Sequence, residues 1–374
     1  MHQPVISGTG VFTPSEIISN DELVAAFNAY AIKYNTAHAE EIVAGAVDEI
    51  APSSSEFIVA ASGINQRHVL DKTGVLDPDR MYPALRQRAD DEPGVMAEIA
   101  VDACTKALAQ AGKTAADIDA VIVAASNMER AYPAIAIEVQ DLLGIQGFGF
   151  DMNVACSSAT FGIQAASDMV RAGTARAILV VNPEITSGHL EWRDRDCHFI
   201  FGDVCTATLI ERKADATVPH FEVLSTKCMT QFSNNIRNNN GFLRRSRPDG
   251  VKDRRDMQFM QNGRKVFREV LPIVSKHILK HLEEAGHTPD NLKRLWLHQA
   301  NKAMNDFIGK KVLGRLPELG EQPNILQDYA NTSSAGSIIA FSQYSDDISE
   351  GELGLICSFG AGYSVGSVLL KRAL

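Results

Sequence analysis

AGKTAADIDAVIVAAS, residues 111–126, returns 174 positions later as AGHTPDNLKRLWLHQA, residues 285–300, aligned without a gap. Each copy follows an apolar helical pattern (Ile99 to Ala109; Val270 to Leu282), stops at a glycine and enters a short apolar run suited to a buried strand. A second echo sets CSSATFGI at Cys156 beside TSSAGSII at Thr332, 176 positions on, making Thr332 the expected counterpart of Cys156. A third pairs PVIS at Pro4 with EVLS at Glu222, 218 positions on. Three echoes in one order predict an internal duplication, with halves at residues 1–220 and 221–374. The third spacing exceeds the first by 44 residues, so the first half carries an insertion, placed within residues 24–93. Strand candidates AVIVAAS, GFDMNVA, ARAILVVN, RLWLHQA and LGLICSFG alternate with helical patterns. That grammar predicts an α/β fold with mostly parallel sheets covered by helices. The same echoes also suit a single doubly wound sheet.

Composition narrows the function. Of 374 residues, 46 are acidic and 36 basic, a net charge of −10, and 45% are hydrophobic. A soluble globular protein fits this profile; a nucleic-acid partner does not, because duplex binding relies on a basic surface. No apolar run reaches the roughly 20 residues needed to span a bilayer. The opening MHQPVISGTG lacks the regions of a signal peptide, so no membrane association and a cytoplasmic location are expected. The six cysteines form no CxxC pair, and neither a metal site nor a disulfide framework is expected.

The segment GFGFDMNVACSSATFGIQAASDMVRAG, residues 147–173, reads as strand, turn and helix, with Ala159, Gly162, Ile163, Ala166 and Val170 on one helical face and Gly173 as the stop. Cys156 falls at the turn. A thiol at a helix N-terminus has its thiolate stabilised and its pKa lowered, which suits a nucleophile. The same position also suits a small residue buried at a tight turn. His298 stands where the strand of the second copy hands over to a helix, and Asn331 immediately precedes Thr332. In a duplicated fold the two turns face each other, which brings Asn331 near Cys156. The strand end carrying His298 opens onto the same cleft.

NVACSSATFGIQ, HQAN, YANTSSAGS and FGAGYSVGS, in that order, resemble the β-ketoacyl-acyl-carrier-protein synthase III family of the thiolase superfamily. The likeness extends to ISGTGVFTP, SGINQRH and FIFGD. It implies the thiolase fold, a duplicated five-layer αβαβα arrangement, and a homodimer. It also implies condensation of an acyl-CoA primer, short to medium in chain length, with malonyl-acyl carrier protein. The catalytic set would be Cys156, His298 and Asn331, with the backbone amides of Cys156 and Ala361 as oxyanion donors. No cofactor is implied beyond the coenzyme A thioester that serves as substrate. Thioester exchange needs a thiol nucleophile, and the enolate formed on malonyl decarboxylation needs fixed hydrogen-bond donors.

Further residues carry over by position. Tyr132 matches an aromatic that caps the partner's acyl pocket. Phe57 falls where the family stacks a tryptophan on the CoA adenine, and Arg195 matches an arginine on the adenine's other side. Ala61 and Ala303 replace basic residues usual for CoA and carrier contacts. The run RNNNGFLRRSRPDGVKDRR, residues 237–255, has a local net charge of +5 and could attract anionic partners, as could Lys302, Lys310 and Lys311. An acyltransferase that loads Cys156 without decarboxylating malonyl, or an inactive partner subunit, are the competing readings.

Overall fold

The computed structural model describes residues 1–248 and 255–373. Nine strands form one hydrogen-bonded sheet. Their order is Leu292–Leu297, Leu353–Gly360, Gly362–Ala373, His220–Ser233, Pro4–Phe12, Val204–Arg212, Ala177–Glu184, Ala120–Ala124 and Phe148–Met152. The two opening strands of the echoed segments meet at the centre, where Val5 pairs with Glu222 and Ile6 with Phe221. Taking residues 1–220 and 221–374 as the two copies, a division we propose, this antiparallel pair joins them.

The expectation of mostly parallel pairing is corrected: five of the eight neighbouring pairs are antiparallel. Parallel pairs occur only where a helix crosses over, as between Ala120–Ala124 and its two neighbours and between Leu292–Leu297 and Leu353–Gly360. The turn at Ala361 instead folds Leu353–Gly360 straight back on Gly362–Ala373, and a hairpin of that length must be antiparallel.

Side-chain alternation generates the layers. Ala120, Ile122 and Ala124 of one strand pack with the helices Ser158–Ala172 and Gly336–Gln343. Val121 and Val123 of the same strand face the helices Val95–Ala111 and Ile135–Leu143. In the second half Trp296 and Ile356 point to the central helices, whereas Leu295, Leu297 and Leu355 face Gly263–Glu284 and Lys302–Leu313. The result is five layers, αβαβα, with the two central helices between the half-sheets. Each fully buried Ile, Leu or Val contributes about 1.5–3 kcal/mol. The helices end as the glycines predict: Gly112, Gly173 and Gly286 each adopt a left-handed conformation at the stop.

Residues 16–76, which overlap the insertion we propose within 24–93, fold into a cap beside these layers. Its helix Asn20–Ala37 starts with a Ser19–Glu22 capping box. Leu23, Phe27, Ile58 and Val69 join Trp192, Phe199 and Phe201 in a separate apolar cluster. Arg67, fully buried, ties this cap to the layers: it donates to the carbonyls of Ile18 (3.1 Å) and Phe199 (3.3 Å) and to Asn20 Oδ1 (2.8 Å). Burial pushes its guanidinium down to about 9.

Candidate active site

Cys156 lies in a single 3₁₀ turn, Ala155–Ser157, between the strand Phe148–Met152 and the helix Ser158–Ala172. The turn is held from within. Asn153 Oδ1 accepts from the Ala155 amide (2.9 Å), and Ser158 Oγ accepts from the Val154 amide (2.9 Å). Ala155 adopts a left-handed backbone, φ +48°.

The same turn recurs at Ser333–Ala335, ahead of the helix Gly336–Gln343. Val154 and Thr332 precede the two turns with similar dihedrals (φ −131°, ψ 38° and φ −100°, ψ 33°). Ser333 matches Ala155 at φ +51°, and Asn331 Oδ1 accepts from the Ser333 amide at 2.8 Å as Asn153 does from Ala155. The backbone therefore aligns NVACSS with NTSSAG at a spacing of 178, which corrects the expected counterpart of Cys156 from Thr332 to Ser334. The letters CSSA and TSSA echo each other two positions out of structural register.

Cys156, His298 and Asn331 all line one cavity of about 520 Å³. His298 follows the strand Leu292–Leu297, its amide bonded to the Cys357 carbonyl (2.7 Å) and its ring edge-on to Phe359 at 5.1 Å. Burial pushes the imidazole down to about 4, against a backbone hydrogen bond with Ser333, so the ring is neutral at pH 7. Its Nδ1 has no partner among the described residues. Asn331 is fixed on both sides of its backbone by Ile200 and Gly202 (2.9 and 3.2 Å). With Oδ1 taken by Ser333, the Asn331 atom left to donate is Nδ2.

Burial pushes the Cys156 thiol up to about 11, which reverses the expected lowering. Desolvation outweighs the helix end. The hydroxyl of Ser333, 3.4 Å from Sγ, and the amides of Cys156 and Ala361 pull the other way, while the charge of Glu184 adds to the rise. Gly360 backs the sulfur: a Cβ there would lie 2.6 Å from the Cys156 Cβ and 3.1 Å from Sγ.

Other expected residues are placed less simply. Phe57, on the helix Ser55–Ser62, lines the cavity, as does Ala61. Arg195 lies directly over the Phe57 ring at 4.1 Å and donates from Nε to the Pro52 carbonyl (2.7 Å). The two planes touch, so the expected slot for a base between them is closed in this arrangement. Tyr132 is 84% exposed and does not line the cavity of its own chain. The basic run is partly neutralised: Arg244 and Arg247 both pair with Asp256, and Arg255 with Asp194 (2.7 Å). Asp249, Lys252, Asp253 and Arg254 of that run lie outside the described residues.

Four residues escape the sequence reading. Ser333 touches the sulfur, Gly360 stands where an added side chain would press on it, and Arg264 lines the cavity from just beyond the basic run. Glu184, buried at the end of its strand, accepts from the Ser126 and Ser334 amides (3.1 and 3.2 Å) and from both hydroxyls. Glu184 does not line the cavity, and burial holds its carboxyl up at about 7. Among the described residues, no group of three or more His, Cys, Asp or Glu side chains is placed to hold a metal ion. No described helix is long and apolar enough to cross a membrane.

Comparison with known proteins agrees with this fold. Residues 150–231 match the family model for 3-oxoacyl-[acyl-carrier-protein] synthase III, and residues 282–372 match the model for its C-terminal part. The chain is 56% identical over 347 residues to the β-ketodecanoyl-[acyl-carrier-protein] synthase of Pseudomonas aeruginosa, covering 92% of this chain and 99% of the relative. It is 30% identical to the β-ketoacyl-[acyl-carrier-protein] synthase III of Granulibacter bethesdensis, covering 99% and 100%. Among solved structures, the 3-oxoacyl-[acyl-carrier-protein] synthase III of Aquifex aeolicus superposes with a TM-score of 0.75 at 24% identity, over 98% of this chain and 99% of that one, a likeness of fold. The chain belongs to the β-ketoacyl-acyl-carrier-protein synthase III family.

Proposed function

We propose that the protein condenses an acyl-CoA primer with malonyl-acyl carrier protein, releasing CO₂ and giving β-ketoacyl-acyl carrier protein, the product that initiates fatty acid synthesis. The observation that carries this reading is the convergence of Cys156, His298 and Asn331 on one cavity, with two backbone amides directed at the sulfur. In the first half-reaction Cys156 Sγ takes the acyl group, its thiol proton leaves with the CoA sulfur, and the amides of Cys156 and Ala361 hold the thioester oxygen as it becomes an oxyanion. In the second, malonyl loses CO₂, and the enolate oxygen is held by the neutral imidazole of His298 and by Asn331 Nδ2. The enolate carbon then attacks the acyl carbonyl, the carbonyl–Sγ bond breaks, and Cys156 leaves as a thiolate that takes a proton from solvent to restore the thiol. A neutral His298 donates a hydrogen bond without giving up a proton, which suits an enolate holder. No cofactor beyond the CoA thioester enters these steps.

The primer we propose is medium-chain, of eight carbons. The relative at 56% identity is named for a ten-carbon β-keto product, and malonyl contributes two of those carbons. Phe199, Phe201, Phe259, Val266 and Phe359 make much of the cavity lining apolar, and each buried methylene adds about 0.8 kcal/mol of affinity. Arg264 lines the cavity, and Lys310 and Lys311 lie on the helix Lys302–Leu313, positions that suit the anionic CoA and carrier. We also propose a homodimer joined along the strand Phe148–Met152, which ends the sheet. Tyr132, Ile137, Leu142 and Phe148 expose apolar surface there.

The deciding experiment compares kcat/KM for acetyl-CoA and octanoyl-CoA at fixed malonyl-carrier concentration. A preference for octanoyl-CoA is expected. A clear preference for acetyl-CoA overturns the chain length, and no β-ketoacyl product from either overturns the reaction.

A further inference from the structure

We propose that Ser333 is a further catalytic residue: its hydroxyl donates a hydrogen bond to the Cys156 sulfur and stabilises the negative charge that gathers there as the acyl group is loaded. The inference rests on reading Cys156 as the nucleophile. Ser333 Oγ lies 3.4 Å from Sγ and has no other hydrogen-bond partner among the described residues. The residue is 2% exposed, so water does not compete for that donor.

The local backbone shows that the hydroxyl is not needed to build the turn. Ala155 occupies the equivalent place in the other half with the same left-handed conformation, φ +48° against +51°, and the same amide bond to an asparagine Oδ1. An alanine therefore serves the turn equally well. What differs at position 333 is that the side chain points at the nucleophile of the opposite half. Asn331, whose Oδ1 fixes the Ser333 amide, thereby also fixes the hydroxyl.

The sulfur has few other sources of stabilisation. Among the described residues the cavity wall carries the titratable side chains of Asp196, Arg264 and His298, and Glu184 lies behind the Ser334 turn; of these, Glu184 is the one whose charge acts on the thiol. Burial favours the uncharged form of His298 and so works against a thiolate–imidazolium pair, and a charge on Glu184 has the wrong sign. The remaining donors are the amides of Cys156 and Ala361 and the hydroxyl of Ser333. During loading the Cys156 S–H bond breaks, the Sγ–acyl bond forms as the acyl–CoA sulfur bond breaks, and the CoA sulfur leaves with the proton. Ser333 keeps its own proton throughout.

The test is the pH dependence of Cys156 alkylation by iodoacetamide, read by peptide mass mapping, in the full-length protein and in its Ser333→Ala and Ser333→Gly variants. A hydrogen bond to a charged group is strong enough to displace the pH–rate curve upward by about one unit. Greater nucleophilicity of the more basic thiolate offsets part of this, leaving the rate at a fixed pH below the midpoint roughly threefold lower per unit. Both variants should show the displacement, since alanine keeps the backbone and glycine relaxes it. An unshifted curve in both, or a shift in the glycine variant alone, overturns the proposal. Acyl mass accumulating on Cys156→Ala overturns the nucleophile reading instead, so the two failures are distinct.

Discussion

Glu184 and Gly360 end equivalent strands of the two halves, and each abuts the turn of the other half: the Glu184 carboxylate binds Ser334, whereas Gly360 leaves its space to Cys156. The duplication thus offers two similar turns, of which one carries a thiol beside a cavity and the other is plugged by a buried carboxyl. The function we propose uses the turn whose facing residue has no side chain.

Gly360→Ala is therefore expected to displace the nucleophile, because the new Cβ would sit 2.6 Å from that of Cys156. A shift of about 1 Å can cost on the order of 10²-fold in rate. Acyl loading, followed by intact mass, should fall by about that factor, while the melting temperature drops modestly. Loading at the wild-type rate would show that Gly360 does not seat the sulfur.

His298→Ala and Asn331→Ala should each slow CO₂ release from malonyl-acyl carrier protein by about 10²-fold or more, the scale for one oxyanion donor. Loading of Cys156 should suffer less in both. If His298→Ala blocks loading and spares CO₂ release, the two half-reactions are assigned the wrong way round.

Acid should destabilise the fold before it protonates the ordinary carboxylates. Burial holds His189, His277, His281 and His298 down at about 4 and His198 at about 3, so the unfolded chain takes up protons below its pKa of about 6.5 that the folded chain refuses. Glu184 and Asp203, raised to about 7 and 6, act in the opposite sense over part of the same window, but they are fewer. The stability present above pH 6.5 should decline toward pH 4. His277 and His281 share the Ser367 hydroxyl at 3.0 and 2.7 Å, so His281→Asn should flatten the decline. A melting temperature that is equal at pH 7.5 and pH 5 contradicts this account.

Chain length should depend on a row of edge-on and tilted rings. Phe201 and Phe259, 4.8 Å apart, line the Cys156 cavity, and His189 lies 5.4 Å behind Phe201. His189 also lines a second cavity, of about 790 Å³. Phe259→Ala is expected to move the preferred acyl-CoA to longer chains, measured as kcat/KM across a graded series. An unchanged preference places the end of the acyl site elsewhere.

The parts of this arrangement legible in the sequence are those carried by local pattern. The apolar spacing from Ala159 to Val170 gives the helix after Cys156, and Gly173 gives its end. Asn331 is found near Cys156, although by an alignment two residues out of register, because matching letters do not report a φ near +50°. The antiparallel pairing of Leu353–Gly360 with Gly362–Ala373 depends on the turn at Ala361, whose sequence reads equally as an end of structure. The thiol is raised because burial depends on side chains from both halves, which no single window contains. Arg244 and Arg255 look unopposed only until Asp256 and Asp194, both outside the quoted run, come within reach.

The central claim, that Cys156 carries the primer, is tested most directly by the mass of the protein after incubation with octanoyl-CoA, followed by peptide mapping. The account predicts one octanoyl group on the peptide containing Cys156 and none on the Cys156→Ala variant. An octanoyl group accumulating on that variant at the wild-type rate would contradict it.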